Sequence, residues 1–199
     1  MHIEPIAEPT GDPDSPEPEP RNKTHFDDIG AYFVVELKLG SASISLLDIR
    51  WIDIFQLINT SELQSIIEKT IGTIPHPICL PDGVITFAVV ASDDAHMCRL
   101  NNEFRNESAP TNVLSFPVGT LEELEGEFYL GDIFLGYETI KSEALKQDIL
   151  VRDHVLHLIV HGILHLLGYD HQEEHQAHIM EQKEVLILSF FNIPDPYLL

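Results

Sequence analysis

Arg152-Asp-His-Val-Leu-His-Leu-Ile-Val-His-Gly-Ile-Leu-His-Leu-Leu-Gly-Tyr-Asp-His171 is the stretch around which this chain must fold. Apart from its histidines, the run from Arg152 to Leu167 is almost wholly apolar. A helix that is apolar on every side belongs in the middle of a core. Asp153 is the expected cap near its start. Gly168 can take the left-handed conformation that ends a helix and turns the chain back.

The histidines in this run carry chemistry. His161 and His165 are one turn apart on one helix face, close enough to reach a common ion. His171 can return to the same ion after the turn at Gly168. Three protein ligands leave a coordination position open for water or substrate, which is the pattern of catalytic rather than structural sites. His154 and His157 share the face, since the four helix histidines span about 80° of arc. They are read as packing or supporting residues, because three ligands in line along one face cannot all meet at one ion. His157 to His165 covers about 12 Å of helix axis, whereas zinc–nitrogen bonds are only about 2.0–2.1 Å. The spacing matches the long zincin pattern H-E-x-x-H-x-x-G-x-x-H. Gly162, however, stands where a metalloprotease needs its general-base Glu, which disfavours peptide hydrolysis. Asp170 beside His171 has two readings, orienting a ligand or bonding the turn.

The motif His161-Gly-x-Leu-His-Leu-x-Gly-Tyr-Asp-His171 resembles that of the YbeY family, described as metal-dependent, single-strand-specific endoribonucleases of bacterial rRNA maturation. A second block agrees, Leu100-Asn-Asn-Glu-Phe-Arg-Asn-Glu-Ser-Ala-Pro-Thr-Asn-Val-Leu-Ser-Phe-Pro117. So do Leu130-Gly-Asp-Ile133 and the stretch from Met180-Glu-x-x-Glu184 to Pro196-Tyr197. Glu107 stands where the family usually has Lys. The resemblance implies a zinc ion on His161, His165 and His171. It implies a part in catalysis for Arg105, whose guanidinium suits a phosphate. Thr111 and Ser115 are read either as cleft residues or as a turn hydroxyl and a strand hydroxyl. The implied partners are single-stranded RNA or rRNA and a ribosome or ribosomal protein, with no membrane and no DNA. The implied work is rRNA processing and ribosome quality control in the cytoplasm. Two other functions stay open: a zinc hydrolase of metalloprotease type, and a non-catalytic ribosome-assembly factor with a structural metal. A three-histidine site also suits nickel, copper or iron.

The charge balance is unusual for an RNA enzyme. The chain of 199 residues holds 11 Lys and Arg against 33 Asp and Glu, a net charge of −22. Nucleic-acid binders usually present a basic face. Arg99, Arg105, Lys141, Lys146 and Arg152 are the cations that can line one cleft, and such acidity points to targeting through a partner. The first twenty residues hold six of the thirteen prolines among Glu and Asp. Residues 1–25 are therefore expected to be a disordered acidic tail, without the features of a secretory signal. No uncharged apolar run approaches the roughly 18 residues of a membrane span. Cys79 and Cys98 lack ligand spacing and read as incidental thiols.

Residues 26–199 are expected to form one α+β (or α/β) domain, a small, mostly parallel sheet of about four strands with about five helices. Strands are expected at 31–39, 43–50, 84–91, 113–116 and 130–136, the first two from their alternating or β-branched character. Helices are expected at 53–71 with a break at Thr60-Ser61, from the Ser92-Asp-Asp94 cap to Phe104, over 138–148, along the histidine run, and over 173–191. Loops are expected at Pro75-His-Pro77 and Pro81-Asp-Gly83.

Overall fold

The computed structural model describes residues 31–37, 40–46, 50–73, 85–118 and 128–198, of which 31–37, 40–46 and 128 are described by backbone alone. The expected acidic tail, the loops at 75–77 and 81–83, and Cys79 lie outside the described residues. The elements are β1 (Ala31–Leu37), β2 (Gly40–Leu46), α1 (Trp51–Gln56), α2 (Thr60–Ile71), β3 (Ile85–Ser92), α3 (Asp94–Arg105), β4 (Val113–Pro117), β5 (Phe128–Gly136), α4 (Tyr137–Gln147), α5 (Val151–Leu166) and α6 (Glu174–Ser189). The break expected at Thr60-Ser61 is real: Asn59 caps α2 by accepting from Ser61 N.

The five strands form one sheet in the order β1-β2-β3-β5-β4. It is mixed rather than mostly parallel. β2, β3 and β5 run parallel, and β1 and β4 are added antiparallel at the two edges. β3 is a doubly covered strand. Ile85, Phe87, Val89 and Ala91 belong to the main core with α5, while Val90 joins Met97 and Leu114 under α3 on the other face. This alternation is the two-residue period of a strand with apolar residues at both phases.

Helix α5 lies in the main core and packs against β4, β5, α2, α4 and α6. Val155, Leu156, Ile159, Val160, Ile163 and Leu164 are fully buried. Its N-terminus differs from expectation. Leu150 is the N-cap and makes no side-chain cap bond, while Asp153 sits inside the first turn and pairs with Arg152. Arg152 also bridges to Glu62 on α2, so Asp153 is held by a cation instead of by backbone N–H groups.

Candidate metal centre

Helix α5 ends as its sequence predicts. Gly168 has φ +86°. Its N–H donates to His165 O at 3.0 Å, and Tyr169 N–H donates to Leu164 O at 3.0 Å. This double bond pattern is a Schellman motif, and the left-handed residue at its centre is normally glycine. The turn sends the chain back so that His171 approaches the two helix histidines. The ring centroids of His161 and His165 are 4.6 Å apart, those of His165 and His171 4.9 Å, and those of His161 and His171 5.4 Å. One nitrogen from each ring lies within 4.8 Å of the others. His161 and His165 are half-buried and His171 is exposed.

Hydrogen bonding decides which nitrogens are available. His161 Nδ1 is 2.9 Å from Glu184 Oε1, and His165 Nδ1 is 3.0 Å from the Tyr169 carbonyl. A carbonyl only accepts, as does an ionised carboxylate. Burial alone would raise the Glu184 pKa, but hydrogen bonds from His157 and His161 outweigh it and hold the carboxyl at about 2. Both Nδ1 atoms are therefore donors. That leaves Nε2 as the other nitrogen of each ring, and the two Nε2 atoms face each other at 3.1 Å. Burial first, then the neighbouring His161 and His171, lowers His165 to about 4, so this ring is neutral at neutral pH. Two facing lone pairs repel unless a cation lies between them. Two ligands about 2.0–2.1 Å from a tetrahedral ion would stand roughly 3.4 Å apart. The donor set thus fits a divalent metal.

The carboxylate behind His161 belongs to a block that the family resemblance picks out, but the sequence assigned it no role. Glu184 lies on α6 and is fully buried. It accepts from His157 Nε2 at 2.7 Å and from the Tyr197 phenol at 2.5 Å, besides His161. The signal in the sequence was an acid directly preceding the apolar run Val185-Leu-Ile-Leu188, since a fully buried Glu must be paired. His157 is thus a supporting residue. His154 is too, bonding Glu143 Oε2 at 2.8 Å. Asp170 accepts from His171 N at 2.7 Å, which is the turn-bonding role.

A cleft of about 540 Å³ opens over the trio. Its wall includes Arg105, Thr111, Ser115, Pro117 and Asp170 along with the three histidines. Arg105 is exposed at the end of α3. Thr111 and Ser115 come from the approach to β4 and from β4 itself. The Ser115 hydroxyl is buried without a hydrogen-bond partner among the described residues. Of the five cations expected near the cleft, Arg105 alone lines it; Arg152 is engaged with Glu62 and Asp153. Opposite this wall, Gly162 is pressed onto β5. A Cβ there would fall 2.8 Å from Ile133 Cγ2, so the position that holds a metalloprotease's base is filled by the sheet.

A family model described as Endoribonuclease YbeY matches residues 52–192. A protein of Paramagnetospirillum magneticum named Endoribonuclease YbeY is 43% identical, over 59% of this chain and 74% of that protein. A Bartonella henselae protein of the same name is 42% identical, over 68% of this chain and 86% of that protein. A solution structure from Thermotoga maritima aligns at a TM-score of 0.46 and 22% identity, covering 76% of this chain and 91% of that one, a likeness too loose to bear on the fold. Among the described residues no single helix is long and apolar enough to cross a membrane.

Proposed function

The chain belongs to the YbeY family, and on that premise we propose that it is a metal-dependent, single-strand-specific endoribonuclease of rRNA maturation and ribosome quality control. The observation that carries this reading is the pair of facing Nε2 atoms of His161 and His165, 3.1 Å apart, beneath a cleft that also holds Arg105. The residues that would hold the metal are His161, His165 and His171, and zinc suits three imidazoles with one open position. When bound, such an ion supplies Lewis-acid polarisation of the phosphate or of the attacking group.

The protein's own groups do the rest. The Tyr169 carbonyl and the Glu184 carboxylate fix the tautomers of His165 and His161, which keeps Nε2 bare on both rings. Arg105 grips the phosphate through its guanidinium fork and offsets charge developing on it. The enzyme works in the cytoplasm with a ribosomal partner that supplies the affinity its acidic surface lacks, and residues 1–25 act as a tail outside the catalytic domain of residues 26–199.

The test is cleavage of a labelled single-stranded RNA by wild type, a chelator-treated sample, Arg105→Ala and His165→Ala. Loss of one electrostatic stabiliser costs about 10²- to 10³-fold in rate, which is the drop expected for Arg105→Ala. Chelation and His165→Ala should abolish cleavage. Equal cleavage by all four would assign the activity to a contaminant and defeat the proposal. Product ends then identify the attacking group: a 2′,3′-cyclic phosphate means the RNA's own 2′-hydroxyl. The net charge of −22 favours one second reading, a ribosome-assembly factor with a structural metal. It predicts stoichiometric metal without RNA cleavage.

A further inference from the structure

We propose that Tyr197 is a positioning residue of the metal centre, acting through Glu184 to fix His161 from a rigid arm that follows α6. The proposal rests on the reading that the histidine trio binds a metal.

The arm is built by its own sequence. After α6 the chain turns through Asn192, whose φ is +55°, and Ile193 N–H donates back to Leu188 O at 3.2 Å. Ile193 is anchored in the main core. Pro194-Asp-Pro196 follows. Each proline fixes its own φ, and Asp195 Oδ1 accepts from Tyr197 N at 2.9 Å, a local Asx bond that sets the turn. Tyr197 therefore arrives with little freedom left to lose. Its ring meets His157 edge to face, with centroids 5.9 Å apart. Its hydroxyl donates to Glu184 Oε2 at 2.5 Å.

That bond completes a three-donor set on one buried carboxylate. Oε1 takes His161; Oε2 takes His157 and Tyr197. Oε2 is thereby pinned from two directions, so the carboxylate cannot swing and Oε1 stays aimed at His161 Nδ1. Loss of such outer partners typically weakens metal binding about 10- to 100-fold. The phenol also lines a cavity of about 220 Å³ that shares His161 and His171 with the cleft. The arm therefore stands against the trio's own wall and not at a remote surface. The phenol itself is kept protonated, first by burial and then by the charge of Glu184, so it stays a donor.

The experiment is zinc affinity of the full chain, measured by competition with a chromophoric chelator, together with thermal melting of the metal-free protein. Tyr197→Phe removes only the hydroxyl. It should weaken zinc about tenfold while the metal-free melting temperature stays near that of wild type. Pro196→Ala keeps the phenol but loosens the arm, and should weaken zinc in the same direction by less. A lowered melting temperature with unchanged zinc affinity in Tyr197→Phe would make Tyr197 a structural residue only and overturn the inference. Failure of wild type itself to bind stoichiometric zinc would overturn the metal reading, and this inference with it.

Discussion

A Cβ added at Gly162 would lie 2.8 Å from Ile133 Cγ2 and 2.9 Å from its Cδ1. Ile133 is fully buried on β5, and its branched side chain has few alternative rotamers. Gly162→Ala should therefore destabilise the protein by about 1–2 kcal/mol: overpacking in the upper part of its range, about 2–3 kcal/mol, less about 1 kcal/mol of helix propensity. Urea unfolding measures this, and a neutral or stabilising result would mean that α5 can lift from the sheet. Gly162→Glu completes the zincin spacing on paper, yet the larger side chain meets the same wall and should not fold into a peptidase. Single residues also mark where sequence reading stopped. His161, His165 and Gly168 were legible because a helix face and a left-handed turn are local properties. Glu184 stood in a matching block, but its role was not legible, because it bonds a histidine 23 residues upstream and only tertiary packing brings the two together.

The elements divide in the same way. The C-terminal limit of α5 and its Schellman turn follow from periodicity and one glycine. The sheet order does not, because β5 inserts between β3 and β4 and nothing local in either strand specifies its neighbour. The antiparallel edges that make the sheet mixed were lost for that reason. One cross-link between elements yields a pH prediction. Glu143 on α4 accepts from His154 on α5 at 2.8 Å and from Asn112, beside the cleft, at 3.0 Å. Burial would raise its pKa, but these bonds outweigh burial and lower it. A carboxyl whose pKa falls on folding binds fewer protons folded than unfolded. Its stabilisation is then full above the unfolded value of about 4.3 and fades as pH drops toward the folded one. Wild type should exceed Glu143→Gln by about 1–2 kcal/mol near pH 7, a charged hydrogen bond discounted for part exposure. The gap should narrow below about pH 4.5. A gap that persists undiminished well below that pH would show that Glu143 is not held as the ionised acceptor.

At the scale of the whole molecule, charge and site pull in opposite directions. A net charge of −22 repels a polyanion at distances up to a Debye length, about 10 Å at 0.1 M salt. Attraction has to come from within the cleft, where Arg105 is the one Lys or Arg among the described residues lining the wall. Each phosphate contact to single-stranded nucleic acid contributes about −0.7 to the slope of log affinity against log salt. One guanidinium therefore predicts a slope near −0.7, read by fluorescence anisotropy of a labelled single-stranded RNA on the metal-loaded protein. Arg105→Ala should flatten it toward zero. A wild-type slope steeper than about −2 would require three or more phosphate contacts. Basic residues away from the cleft would then be carrying the RNA, and the acidic surface would no longer argue for the proposed ribosomal partner.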